Sequence, residues 1–125
     1  MPESNLSKEL NQVTGGNDSI VIVNCLGDIP GGRTLDCTGF TGVIKAGHCI
    51  IKSDSTGVYK PMPVSGTEYD TLTASHSYAG ILKASVTVDD PRASIMTIGQ
   101  VNAAASPYPV TNDMKTYLPH IEFIY

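Results

Sequence analysis

Short apolar runs broken by turn residues, rather than long amphipathic stripes, organise this chain. Val43-Ile44 and Ile50-Ile51 are two such runs, separated by Ala46-Gly47 and followed by Ser53-Asp54-Ser55-Thr56-Gly57. β-Branched side chains suit a pleated surface, and a glycine within a strand pattern marks a bulge or bend. The Ser/Asp/Thr/Gly cluster has hairpin-loop chemistry, since hydroxyls and Asp bond their own backbone and Gly accepts positive φ. Lys60-Pro61-Met62-Pro63 ends the return strand because each proline removes a ladder donor. The pattern predicts a bent β-hairpin around which a small, mostly β domain closes.

The densest β run is Ser19-Ile20-Val21-Ile22-Val23-Asn24, whose successive branched residues predict a strand covered on both faces, by the core or by another subunit. From Tyr78 to Val88 the chain alternates with period two. Leu82, Ala84, Val86 and Val88 fall on one face, and Ile81, Lys83, Ser85 and Thr87 on the other. With Asp89-Asp90-Pro91 as the turn and Ala93 to Val101 as the return strand, this predicts a second hairpin. Asn102 to Ser106 holds one helical turn ended by Pro107. Thr111 or Asn112 caps a short helix through about Leu118, with Asp113 in its first turn and Pro119 stopping it. His120 to Tyr125 closes the chain as a strand with Ile121, Phe123 and Tyr125 on one face.

Residues 64–77 read as a polar loop, and residues 1–18 as a polar leader. Leu6, Leu10 and Val13 have rough helical spacing there, too diluted to offset their own ordering entropy. The expected organisation is an N-terminal arm over 1–18, flexible or ordered by a partner, and one β-rich domain over 19–125. The fold class expected is mainly β with one or two short helices: a small bent-hairpin β-barrel or β-tulip-like domain.

Composition narrows the function classes. The length of 125 residues and 41% hydrophobic content support one core, and 6% aromatics without Trp make it aliphatic. A net charge of −4 argues against nucleic acid and against an anionic membrane surface as partners. No apolar run approaches the roughly 18 residues of a spanning helix. Met1-Pro2-Glu3-Ser4-Asn5 lacks the basic start of a secretion signal, so synthesis in a cytoplasm is expected.

Cys25, Cys37 and Cys49 form no close pair, and an odd count does not suit a disulfide framework; buried, reduced thiols are expected. A zinc site from Cys25, Cys37, His48 and Cys49 would need adjacent ligands that a strand turns to opposite sides. Asp54 with Thr56, and Asp89-Asp90, offer too few oxygens for calcium and read as turns. Gly31-Gly32-Arg33 lacks the following helix and Lys-Ser/Thr of a phosphate loop. His48, His76 and His120 lack triad partners at useful spacing, and Ser75-His76-Ser77 offers adjacency without geometry. No catalytic residue, metal or cofactor is expected, and all three histidines read as structural or surface groups.

What remains is interaction. Lys45, Lys52, Lys60 and Lys83 sit at or beside strands, where charge blunts an edge, whereas Ile20 to Val23 is too apolar for a solvent-facing edge. A leader joined to such a strand suits arm exchange or strand addition to a neighbour.

Several segments resemble the head fibre proteins of tailed phages and prophages from gut Bacteroidales. They are Gly27-Asp28-Ile29-Pro30-Gly31-Gly32-Arg33-Thr34-Leu35-Asp36, Val43-Ile44-Lys45-Ala46-Gly47-His48 and Tyr59-Lys60-Pro61-Met62-Pro63-Val64. Tyr78-Ala79-Gly80-Ile81-Leu82 and Ile95-Met96-Thr97-Ile98-Gly99-Gln100-Val101-Asn102 complete the set. The plan is more distantly similar to the head decoration proteins of lambda-type phages, with Ala-Gly at a β bend and a later Gly-Ile-Leu strand.

The resemblance implies a non-enzymatic structural protein of the virion. It would be a homotrimer on the capsid exterior, bound to the major capsid protein, with residues 1 to about 24 as the capsid-contacting arm. On that reading Ile20, Val21, Ile22, Val23, Phe123 and Tyr125 are the expected subunit and capsid contacts. The alternative is a carbohydrate- or receptor-binding adhesion module on a phage or host surface, against which the low aromatic content weighs.

Overall fold

The computed structural model describes residues 18–124, so the expected arm lies outside the described residues except for Asp18. A helical turn, α1 (Asp18–Val21), leads into β1 (Ile22–Asp28). Then come β2 (Arg33–Thr34), β3 (Val43–Ile44), β4 (Cys49–Ser53), β5 (Tyr59–Pro61), β6 (Val64–Ser65) and β7 (Glu68–Tyr69). The second half holds β8 (His76–Leu82), β9 (Val86–Thr87), β10 (Arg92–Ala93), β11 (Ile95–Asn102), a 3-10 turn (Ala103–Ala105), α2 (Asn112–Tyr117) and β12 (Ile121–Ile124). The protein is mainly β, as the residue pattern predicts.

One six-stranded sheet carries the fold, in the order β1-β11-β8-β4-β5, with β12 also paired to β11. β12 runs parallel to β11; the other pairings in the sheet are antiparallel. The sheet is open: no closed barrel is present among the described residues. Three two-stranded ribbons, β2–β10, β3–β9 and β6–β7, complete the sheet structure.

The central strands are buried on both faces. Cys49 and Ile51 of β4, Ile81 of β8 and Met96 of β11 join one core with Val21, Met62, Tyr69, Met114 and Ile121. Their chain neighbours Ile50, Leu82 and Ile95 join a second core with Leu35, Ile44, Val86 and Ala93. Successive strand side chains point to opposite faces, so the two cores sandwich the sheet. α2, α1 and the β6–β7 ribbon supply the first core's cover; β2–β10 and β3–β9 supply the second's.

The bent hairpin forms as expected. β4 pairs with β5 through Ile50↔Pro61, Ile51↔Lys60 and Lys52↔Tyr59. β3 leaves it at the Ala46-Gly47 bend to pair with β9 instead. Gly47 has φ 94°, and a Cβ there would meet Val21 Cγ1 at 2.6 Å and Pro107 Cδ at 3.0 Å. The bend therefore needs glycine both for its backbone angle and for the close approach of two other segments.

The helix expectations also hold. Thr111 caps α2 by accepting from the Met114 amide at 3.2 Å, and Asp113 lies in its first turn.

Four expectations require correction. Ile20 and Val21 belong to α1, and the strand begins at Ile22 and continues through Leu26 to Asp28. The helical turn lets Val21, 2% exposed, reach the first core, so packing overrides β propensity. The second hairpin is real only near its base, where Ile95↔Leu82 and Met96↔Ile81 pair. Beyond Leu82 the chain leaves the sheet, Ala84 is exposed, and Val86–Thr87 pairs with β3, because covering both sheet faces recruits this segment to the outer layer. Residues 64–77 are not wholly loop: β6 and β7 turn about Gly66-Thr67 and bury Tyr69. Finally, of the three free cysteines only Cys49 is fully buried, while Cys25 and Cys37 are half-buried.

Candidate interaction surface

β1 is an edge strand. Among the described residues it pairs only with β11, from Ile22↔Val101 to Asp28↔Met96, and its outer side has no strand partner. Register shifts fall between Ile22 and Asn24, between Cys25 and Gly27, and between Gly27 and Asp28. Such bulges twist an edge and discourage uncontrolled pairing. Gly99 of β11 is what lets β1 come so close: a Cβ there would collide with the Asn24 carbonyl and with Met96 Sδ.

Apolar side chains gather on this part of the sheet. Leu26 is 70% exposed, Val23 52% and Ile98 43%; Ile20 on α1 and Ile124 on β12 are exposed as well. Ile98 lies against Gly27, where an added Cβ would meet its Cδ1 at 3.5 Å. Across the β11–β12 pairing Gln100 Nε2 donates to Glu122 Oε1 at 2.7 Å. Asp28 reaches Lys83 at 3.6 Å, and β1 itself carries no cation.

The six expected contact residues fare differently. Ile20 and Val23 are exposed on this surface. Val21 is core, and Ile22 and Phe123 are half-buried with their side chains packed on the first core. Tyr125 lies outside the described residues. Ile124, between the two expected C-terminal contacts, is exposed, whereas Leu26 and Ile98 are not expected from the sequence. A period-two reading of Ile95 to Val101 alone does not expose Ile98, but its place opposite Gly27 does. Leu26 stands alone beside Gly27-Asp28 and carries no local signal.

A second feature is a cleft of about 840 Å³ beside the Gly47 bend. Its lining includes Phe40, Thr41, Lys45, His48, Thr67 and Tyr108. His48 is buried, and Nε2 lies 2.8 Å from the Met62 carbonyl oxygen, so the ring is neutral with its proton on Nε2. Burial holds its pKa down to about 4, although the Met62 carbonyl pulls the other way.

Three rings meet the imidazole edge-on: Phe40 at 5.8 Å, Tyr69 at 5.3 Å and Tyr108 at 5.5 Å. Tyr69 is itself fixed, since its hydroxyl accepts from the Cys49 amide at 3.0 Å and donates to the Gly47 carbonyl at 3.4 Å. Burial pushes both the Tyr69 phenol and the Cys49 thiol upward, so both stay protonated. His76 Nδ1 bonds the Ala74 carbonyl at 2.9 Å, and His120 is exposed on the turn before β12. No group of three or more His, Cys, Asp or Glu side chains among the described residues could hold a metal ion.

The fold is thus an open-sheet, mainly β domain with one apolar edge and one aromatic-walled cleft. Comparison with family models, curated proteins and solved structures found no match.

Proposed function

We propose that the chain is a non-enzymatic structural protein of a phage virion, a head fibre or decoration protein. It assembles as a homotrimer on the capsid exterior and stabilises the head by binding the major capsid protein. The observation that carries this reading is the unpartnered β1 edge, which exposes Val23 and Leu26, with Ile98 exposed on the adjoining strand opposite Gly27. Solvent-exposed apolar side chains grouped on one sheet region mark an interaction surface. The ordered resemblance of residues 20–124 to head fibre proteins supports the same reading. A protein that binds only the assembled shell stabilises it by mass action, and closed threefold symmetry multiplies each weak contact.

Sedimentation of the purified chain tests the first half: a trimer is expected, and a monomer at every concentration or a fixed dimer overturns it. Imaging of particles made with and without the chain tests the second. Density on the outer shell is expected, and particles identical in both preparations overturn the reading.

A further inference from the structure

We propose that the cleft beside the Gly47 bend binds carbohydrate, preferring a glycan that carries a carboxylate. The cleft is formed by residues of one chain, so this site stands or falls independently of trimerisation and of attachment to a shell. Its volume of about 840 Å³ falls within the range of small-molecule sites.

The lining chemistry selects the ligand class. Phe40 and Tyr108 are half-buried rings held in place by their contacts to His48, and both line the cleft. Pre-fixed aromatic rings offer flat apolar surface to the C–H face of a sugar at little entropic cost. Around them stand the hydroxyls of Thr41, Thr67 and Tyr108, none with a hydrogen-bond partner among the described residues. These groups can donate to or accept from ring hydroxyls, and a hydroxyl-rich ligand needs such dual-purpose partners. Most of the lining is polar rather than apolar, which disfavours a lipid tail or a greasy peptide anchor.

Charge narrows the class further. The chain carries 12 acidic residues against 8 basic ones, yet among the described residues no Asp or Glu lines this cleft. Lys45 does line it, exposed and without an ion pair among the described residues. A local reversal of the overall charge favours an anionic group at that point. A single lysine matches one carboxylate, whereas the several charges of a nucleotide's phosphates would call for more donors than this lining provides. His48, held neutral by burial, adds no second cation but fixes the two ring walls.

The test uses the full chain on an array of acidic and neutral oligosaccharides. Saturation-transfer NMR with sialyllactose, an oligogalacturonide and plain lactose follows. Binding to an acidic glycan is expected, weaker or absent for lactose, with amide shifts confined to residues around Phe40, Thr41, Lys45 and Tyr108.

Lys45→Gln alters an exposed side chain and should leave folding intact while lowering acidic-glycan affinity about tenfold, with lactose unaffected. A blank array overturns the proposal, as do shifts mapping elsewhere. Equal binding of lactose and the acidic sugars overturns the carboxylate preference. If the cleft resonances instead move with concentration of the chain alone, the occupant is a second copy and the proposal is wrong.

Discussion

Two edges of the sheet, β1 and β5, are built on different plans. β5 is short, carries Lys60, and ends in Pro61, which has no amide to offer a neighbour. β1 is seven residues long, has no lysine or proline, and exposes Val23 and Leu26. Charge and proline close an edge outright, whereas bulges leave it irregular but available to a partner shaped to fit. The β5 side is also fastened from beneath. His48 Nε2 donates to the Met62 carbonyl just past the strand, and the Met62 amide returns to the Cys49 carbonyl at 2.8 Å. β1 is fastened by an exposed ion pair, Asp28 with Lys83 at 3.6 Å, and its position depends on a glycine in the next strand. One edge is sealed and tied down, and the other is left for an interaction.

The largest expected effect separates the edges by pH. The His48 pKa is about 4 in the folded chain against about 6.5 when unfolded, so the unfolded chain binds more protons between those values. The associated stability is fully present above about pH 6.5 and is lost as pH falls through the folded value. The loss is about 3 kcal/mol at 1.36 kcal/mol per unit. Urea unfolding at pH 7 and pH 4 should show it, and His48→Gln should flatten the slope. In hydrogen exchange, Met62 should lose protection on acidification ahead of the amides of β1.

Gly99→Ala should act on the other edge. The new methyl group meets the Asn24 carbonyl, and overpacking of this kind costs about 1–3 kcal/mol. Faster exchange across Cys25 and Asn24, with β4 and β8 unchanged, is the expected signature. Uniform loss of protection would mean that β1 and the central strands open together.

The smallest effect on folding is the most telling for assembly. Leu26→Lys should change unfolding free energy by no more than about 0.5 kcal/mol, because the position lies at the surface. Sedimentation should nevertheless show Leu26→Lys weakening self-association while the wild-type chain associates. Unchanged association in Leu26→Lys would move the contact away from β1.

Local signals were legible where one residue type has one job. Thr111 as a cap, Pro119 as a stop, Gly47 at a bend and the Ser53–Gly57 turn all act within a few residues of themselves. What the sequence did not disclose was set by distant partners. Ile81 and Leu82 are adjacent and both fully buried, which a period-two reading allows only if both faces are covered. Much of that cover comes from far along the chain: Val21 and Met114 on one face, Leu35 and Ile44 on the other. Ile20 and Ile50 belong to equally apolar runs, yet Ile20 is exposed and Ile50 buried: Ile20 lies on a helical turn that turns Val21 inward, whereas Ile50 lies on β4 between two strands. The rings that meet at His48, those of Phe40, Tyr69 and Tyr108, come from separate segments, and only His48 stood out as chemistry beforehand.

The pairing around Val101 has a practical corollary. Ile22 sits on one side of it in an antiparallel strand and Phe123 on the other in a parallel one. The entry to the first strand and the exit from the last are therefore level with each other, two strand spacings or about 10 Å apart. The first strand therefore opens and the last one closes at the same pole of the sheet, and a bridge of a few glycines would be long enough to join Ile22 to Ile124.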